Sequence, residues 1–197
     1  MSIQITLNKI KAHDPCQDGW IKLLESKGKT TADDEEFPLS DVLDSNGLGD
    51  ALWCLRCLPE HDNKWRLLAV KFAREVEHLM KDERSIKALD VAEKHARGEV
   101  SHDELEAARV AANAAARAAN ADDDAYSAAA WAAEATAWAA DAYACAAFWA
   151  AWDARNAASA AACAAAWAPA WAAVGDAACD SAMAKQEQLF LQAIGGA

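Results

Sequence analysis

The chain has 197 residues, with 19 lysine and arginine side chains against 31 aspartate and glutamate side chains, and a net charge of −12. This length is sufficient for one or two domains with a proper hydrophobic core. The excess of negative charge argues against direct binding to nucleic acid or to an anionic membrane surface, because both would repel the chain.

The N-terminal segment begins with an ambiguous element and continues as a helix. Ile3–Leu7 (IQITL) fits either a short strand or an N-terminal helix. Pro15 favours a helix start, since proline suits the first helical turn, and Gly28 is expected to end that helix. Residues 29–38 are polar and predict a loop.

Four further helices are predicted between residues 40 and 97. Ser40 is expected to cap a short helix that ends at Asn46-Gly47, and residues 49–58 follow as another helix. Apolar side chains recur at helical spacing over residues 63–80 and again over residues 84–97, which predicts two amphipathic helices.

The composition changes near residue 105, and more than half of the residues from there to position 184 are alanine. Alanine is the best helix former. Ser101 and Glu104 form a capping-box pattern that predicts the first helix of this tract. We therefore predict an all-α helical bundle with an Ala-rich, closely packed C-terminal half. Residues 1–100 form its mixed-composition helical region, and residues 101–197 form an Ala/Trp-rich antiparallel helical bundle.

Breaks between the later helices are predicted from polar residues, proline and glycine. The expected breaks lie near Asn120, at residues 156–159, at Pro169 and at Gly175-Asp176. The last helix is expected over residues 177–194, where ordinary core residues such as leucine and phenylalanine return.

Large aromatic rings recur within the alanine tract. At 100° per residue, Trp131, Trp138 and Trp149 fall within about 20° of one another on a continuous helix. A buried tryptophan removes about 150–250 Å² from water, whereas each alanine methyl group contributes little. We expect these three rings to form a tryptophan stripe in the core, with the alanines setting a close helix spacing.

The same tract carries a one-sided set of charges. Between residues 121 and 184 there are eight carboxylates and one basic residue, Arg155. A solvated helix face usually mixes both signs. These carboxylates are therefore either a solvated edge that keeps the bundle soluble or an acidic surface offered to a basic protein. The residues of this acidic surface are Asp122, Asp123, Asp124, Glu134, Asp141 and Asp153.

Three patterns that resemble catalytic or metal-binding motifs are interpreted as structural. Cys54 and Cys57 form a C-x-x-C without a second ligand pair, so we expect two thiols on a buried helical face and no bound metal. Asp44-Ser-Asn46-Gly47 resembles the opening of a calcium loop but lacks the later acidic ligand, so it predicts a helix C-terminus and turn. The five histidines show no ligand spacing. No catalytic residues and no cofactor are predicted.

The cellular compartment is predicted from what the sequence lacks. No uncharged apolar run reaches the roughly 18 residues of a membrane span, and the N-terminus lacks the apolar segment of a signal peptide. We therefore expect a cytoplasmic protein whose six cysteines are reduced.

Each part of the chain resembles a different group of proteins. The segments AAAWAAEATAWAADAY and AAFWAAWDARNAASAAACAAAW, followed by AKQEQLFLQAI, resemble the Ala/Trp-rich immunity proteins of bacterial toxin systems. The segments PCQDGWIKLL, LDSNGLGDALWCLRCL and RSIKALDVAEKHARGE are similar to proteins of tailed phages and prophages. The resemblance implies a small acidic protein that acts in the host cytoplasm by occupying another protein.

The resemblance and the charge together lead to one expected function and two alternatives. The expected function is a non-enzymatic inhibitor that occupies a basic toxin or a host-defence effector, such as a CRISPR effector with a basic nucleic-acid channel. One alternative is a structural or adaptor bundle that self-associates, for example as a homodimer, with acids that serve only solubility. The other alternative is an enzyme whose site the sequence does not reveal.

Overall fold

The computed structural model describes residues 2–121, 156–157, 160 and 172–195. These residues form an all-α fold apart from a ribbon of two short strands, so the predicted fold class is confirmed. The tryptophan stripe lies outside the described residues. Contacts divide the chain into an N-terminal unit, Met1–Asp62 with Phe190–Ala197, and a helical unit, Asn63–Leu189. This division by contacts differs from the division by composition near residue 100.

The N-terminal unit combines the strand ribbon with short helices. Its elements are β1 (Gln4–Thr6), α1 (Leu7–Lys11), α2 (Gln17–Ser26), β2 (Glu36–Pro38), α3 (Ser40–Asn46) and α4 (Leu48–Trp53), followed by 3-10 turns at Cys54–Cys57 and Pro59–His61. The strands β1 and β2 are antiparallel, with Ile5 opposite Phe37. Apolar side chains from several of these elements are fully buried, among them Ile5, Leu7, Ile10, Leu39, Leu52, Leu55 and Leu58.

The strand and the helix that were alternatives for Ile3–Leu7 both form, one after the other, because β1 ends at Thr6 and α1 begins at Leu7. The Thr6 hydroxyl caps α1 by accepting a hydrogen bond from the Lys9 N–H at 3.2 Å. The loop predicted over residues 29–38 is wrong at its end, where β2 forms. A three-residue strand that ends in proline has too little sequence pattern to be recognised, and it exists only because β1 supplies its partner.

The cap of α3 also differs from the prediction. Ser40 is the first helical residue rather than the cap, and Leu39, at the cap position, makes no side-chain capping bond. The Leu39 N–H donates to the Ile3 carbonyl at 2.9 Å, and its side chain is fully buried. Packing of Leu39 therefore fixes the start of α3. The helix predicted over residues 49–58 ends at Trp53, and the chain continues as a 3-10 turn.

The helical unit contains longer helices. They are α5 (Asp62–Arg74), which begins at the boundary between the units, α6 (Glu83–Ala96), α7 (His102–Ala121) and α8 (Ala172–Ile194), whose last five residues belong to the N-terminal unit. A 3-10 turn lies at Glu77–Leu79. The helix predicted over residues 63–80 therefore ends early. Val76 adopts φ −113° and ψ 11°, which is not helical, while its side chain stays buried. Apolar residues three apart share a face in both helix types, so their spacing did not distinguish an α-helix from a 3-10 turn.

Helices α6 and α7 form a hairpin, and the predicted capping box at its turn is confirmed. The Ser101 N–H donates to Glu104 Oε2 at 2.9 Å, and the Glu104 N–H donates to Ser101 Oγ at 3.2 Å. Gly98 ends the preceding segment at φ +76°, a conformation that glycine adopts without strain. Buried alanines and leucines line both helices, namely Ala88, Leu89, Ala92, Ala96, Leu105, Ala112, Ala115 and Ala116.

Helix α8 corrects two predictions. It begins at Ala172, so the break predicted at Gly175-Asp176 lies inside a helix. One helical glycine costs about 1 kcal/mol relative to alanine, which alanine-rich flanks can offset. Cys179 is disulfide-bonded, so the prediction that all six cysteines are free is wrong at this residue. A disulfide requires two Cα atoms within about 4.4–6.8 Å, which only tertiary structure determines.

Candidate binding cleft

The acidic surface predicted from the sequence lies outside the described residues. This applies to all six of its members, Asp122, Asp123, Asp124, Glu134, Asp141 and Asp153. Their role as a partner-binding surface stays a prediction. The described residues provide a different candidate site.

An open cleft of about 90 Å³ lies within the N-terminal unit. One water needs about 10–15 Å³ of such a volume. The cleft therefore has room for several waters or for a small side-chain group. Apolar side chains such as Leu23 and Val42 line part of it, and the indoles of Trp20 and Trp53 add large aromatic surfaces. Both indoles are half-buried. The cleft is therefore mainly apolar and aromatic.

One carboxylate, that of Asp50, belongs to the lining of this cleft. Asp50 Oδ2 accepts a hydrogen bond of 2.8 Å from the Asn46 side-chain amide, and the same amide donates to the Gly19 carbonyl at 2.8 Å. Asn46 therefore links α2 to the beginning of α4 and holds the carboxylate in place. Within the part of the chain that the structure describes, no lysine or arginine forms an ion pair with Asp50.

The turn between α3 and α4 brings Asn46 and Asp50 together. Helix α3 ends at Asn46, and Gly47 adopts φ +91°, a value that L side chains rarely adopt. The interpretation of Asp44-Ser-Asn46-Gly47 as a helix end and turn is therefore confirmed. The same four residues supply Asn46, which positions the carboxylate of the cleft.

Gly19 makes room for the Asp50 carboxylate. A Cβ atom at position 19 would lie 2.6 Å from Asp50 Oδ2 and 3.1 Å from Cys16 Sγ. The first distance is below any normal contact, so an alanine here would displace the carboxylate. Gly19 lies inside α2, where glycine is unfavourable for the helix. A glycine within a helix is therefore a sequence signal of this close approach.

Cations already lie over aromatic rings in the N-terminal unit. The Arg56 guanidinium lies 4.3 Å from the centre of the Trp53 ring system, and Lys27 Nζ lies 4.3 Å from that of Phe37. Arg56 is not among the residues that line the cleft. Trp53 therefore contributes to the lining of the cleft and also makes a cation–π contact within the chain.

The two cysteines of the C-x-x-C are buried, as predicted. Burial raises the pKa of the Cys57 thiol to about 12. Burial also raises the pKa of Cys54 well above its ordinary value, with further contributions from Cys57 and Asp50. Both thiols are therefore protonated and weakly nucleophilic at neutral pH. Among the described residues, no group of three or more His, Cys, Asp or Glu side chains has a geometry that would hold a metal ion.

A pair of histidines in the helical unit was not predicted. The ring centres of His95, near the end of α6, and His102, at the start of α7, lie 6.1 Å apart. His95 Nδ1 is buried and makes no hydrogen bond within the described residues. Burial lowers the pKa of His95, and the nearby Arg66 and His102 lower it further. These histidines lie seven positions apart, and the helical hairpin brings them together.

Comparison with known proteins gives no further assignment, because no protein-family model, curated protein or solved structure matches the chain. The resemblance to immunity and phage proteins therefore stays a prediction. No helix within the described ranges is both long enough and apolar enough to cross a membrane.

Proposed function

We propose that the protein is a non-enzymatic inhibitor that occupies a basic protein partner, such as a toxin or a CRISPR-type defence effector. In this proposal the acidic surface guides the partner to the protein. The proposal includes an origin in a phage or another mobile element and action in the host cytoplasm.

The uneven distribution of charge is the observation that carries this proposal. Residues 63–118 contain 10 acidic and 11 basic side chains, so this region is nearly neutral. Residues 119–189 contain nine acidic and two basic side chains, and residues 1–62 contain twelve acidic and six basic. The net charge therefore comes from the two flanking regions rather than from the middle of the chain.

Within the middle region, basic side chains also pair directly with carboxylates. Arg74 contacts three carboxylates, with distances of 2.8 Å to Glu77, 2.6 Å to Asp90 and 3.2 Å to Glu93. Arg109 binds Glu106 at 2.5 Å. Residues 119–189 contain only Arg155 and Lys185 as basic residues, so most carboxylates there have no cation in their own segment. A basic partner would supply the missing positive charge.

The first test is capture of partners from bacterial lysate on the immobilised protein at low and high salt. We expect one dominant basic protein to be retained at low salt and released as salt rises, because exposed charges are screened over about 8 Å at physiological ionic strength. Retention of the protein itself and nothing else would instead support the self-associating bundle and contradict the proposal.

The second test measures the association rate with the captured partner. The triple variant Glu134→Gln, Asp141→Asn, Asp153→Asn should fold normally but associate about tenfold more slowly at low salt, because charge complementarity steers encounter. The matched control is Glu25→Gln, Asp34→Asn, Glu99→Gln, which removes the same charge from exposed positions elsewhere. Equal slowing in both variants would show a net-charge effect and would contradict a dedicated acidic surface.

A further inference from the structure

We infer that the cleft formed by Trp20, Trp53 and Asp50 receives the guanidinium group of an arginine side chain from the basic partner. The inference rests on the proposed function and assigns a recognition pocket to it. It concerns the N-terminal unit and does not depend on the residues of the acidic surface.

The negative charge of Asp50 favours a positively charged ligand in the cleft. A carboxylate next to apolar and aromatic side chains loses part of its hydration, and this loss is unfavourable unless a positive charge or hydrogen-bond donors replace the water. Asn46 supplies one donor at 2.8 Å. Among the described side chains, no lysine or arginine supplies the charge. A guanidinium that enters the cleft would bring both the charge and further donors.

The two indoles favour a guanidinium over other cations. Tryptophan offers the most favourable ring for a cation, and arginine is the side chain that most often stacks on it. A planar guanidinium can stack on an indole while its edge donates two hydrogen bonds to a carboxylate, which a lysine ammonium cannot do in the same way. The unit already contains such stacking, because Arg56 lies 4.3 Å from the Trp53 ring centre.

The construction of the site supports the same assignment. The contact between Gly19 and Asp50 is possible only without a side chain at position 19, since a Cβ there would lie 2.6 Å from Asp50 Oδ2. Asn46 holds the same carboxylate oxygen. Gly19 of α2 and Asn46 of α3 therefore fix the position of the Asp50 carboxylate of α4 at the cleft. Tryptophan and arginine are also the residues most enriched among the strongest contacts of protein interfaces.

The direct test titrates the whole protein with N-propylguanidinium and with N-propylurea, its neutral isostere. Binding is followed through the indole N–H resonances of Trp20 and Trp53, which are assigned with Trp→Phe variants. We expect N-propylguanidinium to bind about tenfold more tightly than N-propylurea. Equal binding of the two compounds would show an apolar pocket without preference for a cation and would overturn the inference.

Two variants and one control test whether the preference for the cation depends on the carboxylate of Asp50. Asp50→Asn removes the charge, and Gly19→Ala displaces it. Either should abolish the preference for the cation, with folding checked by circular dichroism. Asp44→Asn removes an equal charge from an exposed residue outside the cleft and should keep the preference. Loss of the preference in Asp44→Asn as well would show non-specific attraction to the acidic protein and would overturn the inference.

The last arm separates this inference from the proposed function. Asp50→Asn should weaken capture of the basic partner about tenfold at a salt concentration where steering by exposed charges is screened. If the partner is captured with unchanged affinity by Asp50→Asn, the cleft is not its binding pocket, while the acidic surface can still act. If n-butylammonium binds more tightly than N-propylguanidinium, the assignment to arginine is wrong and lysine is the occupant.

Discussion

Asp50 of the N-terminal unit and the acids around Arg74 of the helical unit have different partners. In the helical unit, Arg74 contacts Glu77, Asp90 and Glu93, and Arg97 pairs with Glu93, so these three acids form ion pairs within the chain. In the N-terminal unit, Asp50 is held by the neutral amide of Asn46 at the wall of an aromatic cleft. The first arrangement stabilises local structure, whereas the second leaves a charge positioned for an external cation.

The largest expected effect separates a structural tryptophan from a binding tryptophan. Trp65 is fully buried in the helical unit, so Trp65→Ala should lower the free energy of unfolding by about 3–5 kcal/mol. Trp20 is half-buried at the cleft, so Trp20→Ala should cost at most about 2 kcal/mol while abolishing binding of N-propylguanidinium. Urea denaturation of both variants gives the comparison. If Trp20→Ala lowers the free energy of unfolding by as much as Trp65→Ala does, Trp20 belongs to the hydrophobic core rather than to a binding cleft.

The next prediction, with a smaller expected effect, compares the loss of the charge of Arg74 with the loss of the charge of Asp50. Burial alone would lower the pKa of Arg74, but its hydrogen bonds to Glu77 and Asp90 raise that pKa above its ordinary value. Arg74→Gln should therefore lower the free energy of unfolding by about 1–2 kcal/mol, since three carboxylates lose a shared partner. Asp50→Asn should change it by less than about 0.5 kcal/mol. Thermal unfolding of both variants at one ionic strength provides the measurement, and a larger loss for Asp50→Asn would contradict this comparison.

The smallest expected effect is a pH dependence specific to the helical unit. Because the pKa of His95 is lowered in the folded protein, the unfolded chain binds a proton more readily than the folded chain. The contribution of neutral His95 to stability is therefore complete above the unfolded pKa of about 6.5 and is lost as the pH falls toward the folded value.

His95→Gln should make the free energy of unfolding less dependent on pH between about 7 and 5. The measurement is urea denaturation at a series of pH values. If the free energy of unfolding of His95→Gln depends on pH as it does in the parent protein, the burial of His95 does not hinder its protonation.

Predictions from the sequence succeeded where the physical cause lies within a few residues. The capping box of Ser101 and Glu104 forms hydrogen bonds over three positions, so the pattern itself contained the interaction. Gly47 and Gly98 end their segments in the left-handed region that glycine adopts readily. In contrast, the end of α5 at Arg74 was missed, because the spacing of apolar residues does not report which helix type the chain follows.

The sequence by itself determined the all-α class, the segment ends at Gly47 and Gly98 and the uneven charge, because these properties follow from local propensity and from composition. The tertiary structure alone decided the pairing of β1 with β2, the approach of His95 to His102 and the cleft. Asn46 and Gly19 lie 27 positions apart, and their hydrogen bond of 2.8 Å exists only because packing of the N-terminal unit brings α2 to the α3–α4 turn. Contacts at such separation depend on the whole core, which local sequence patterns do not record.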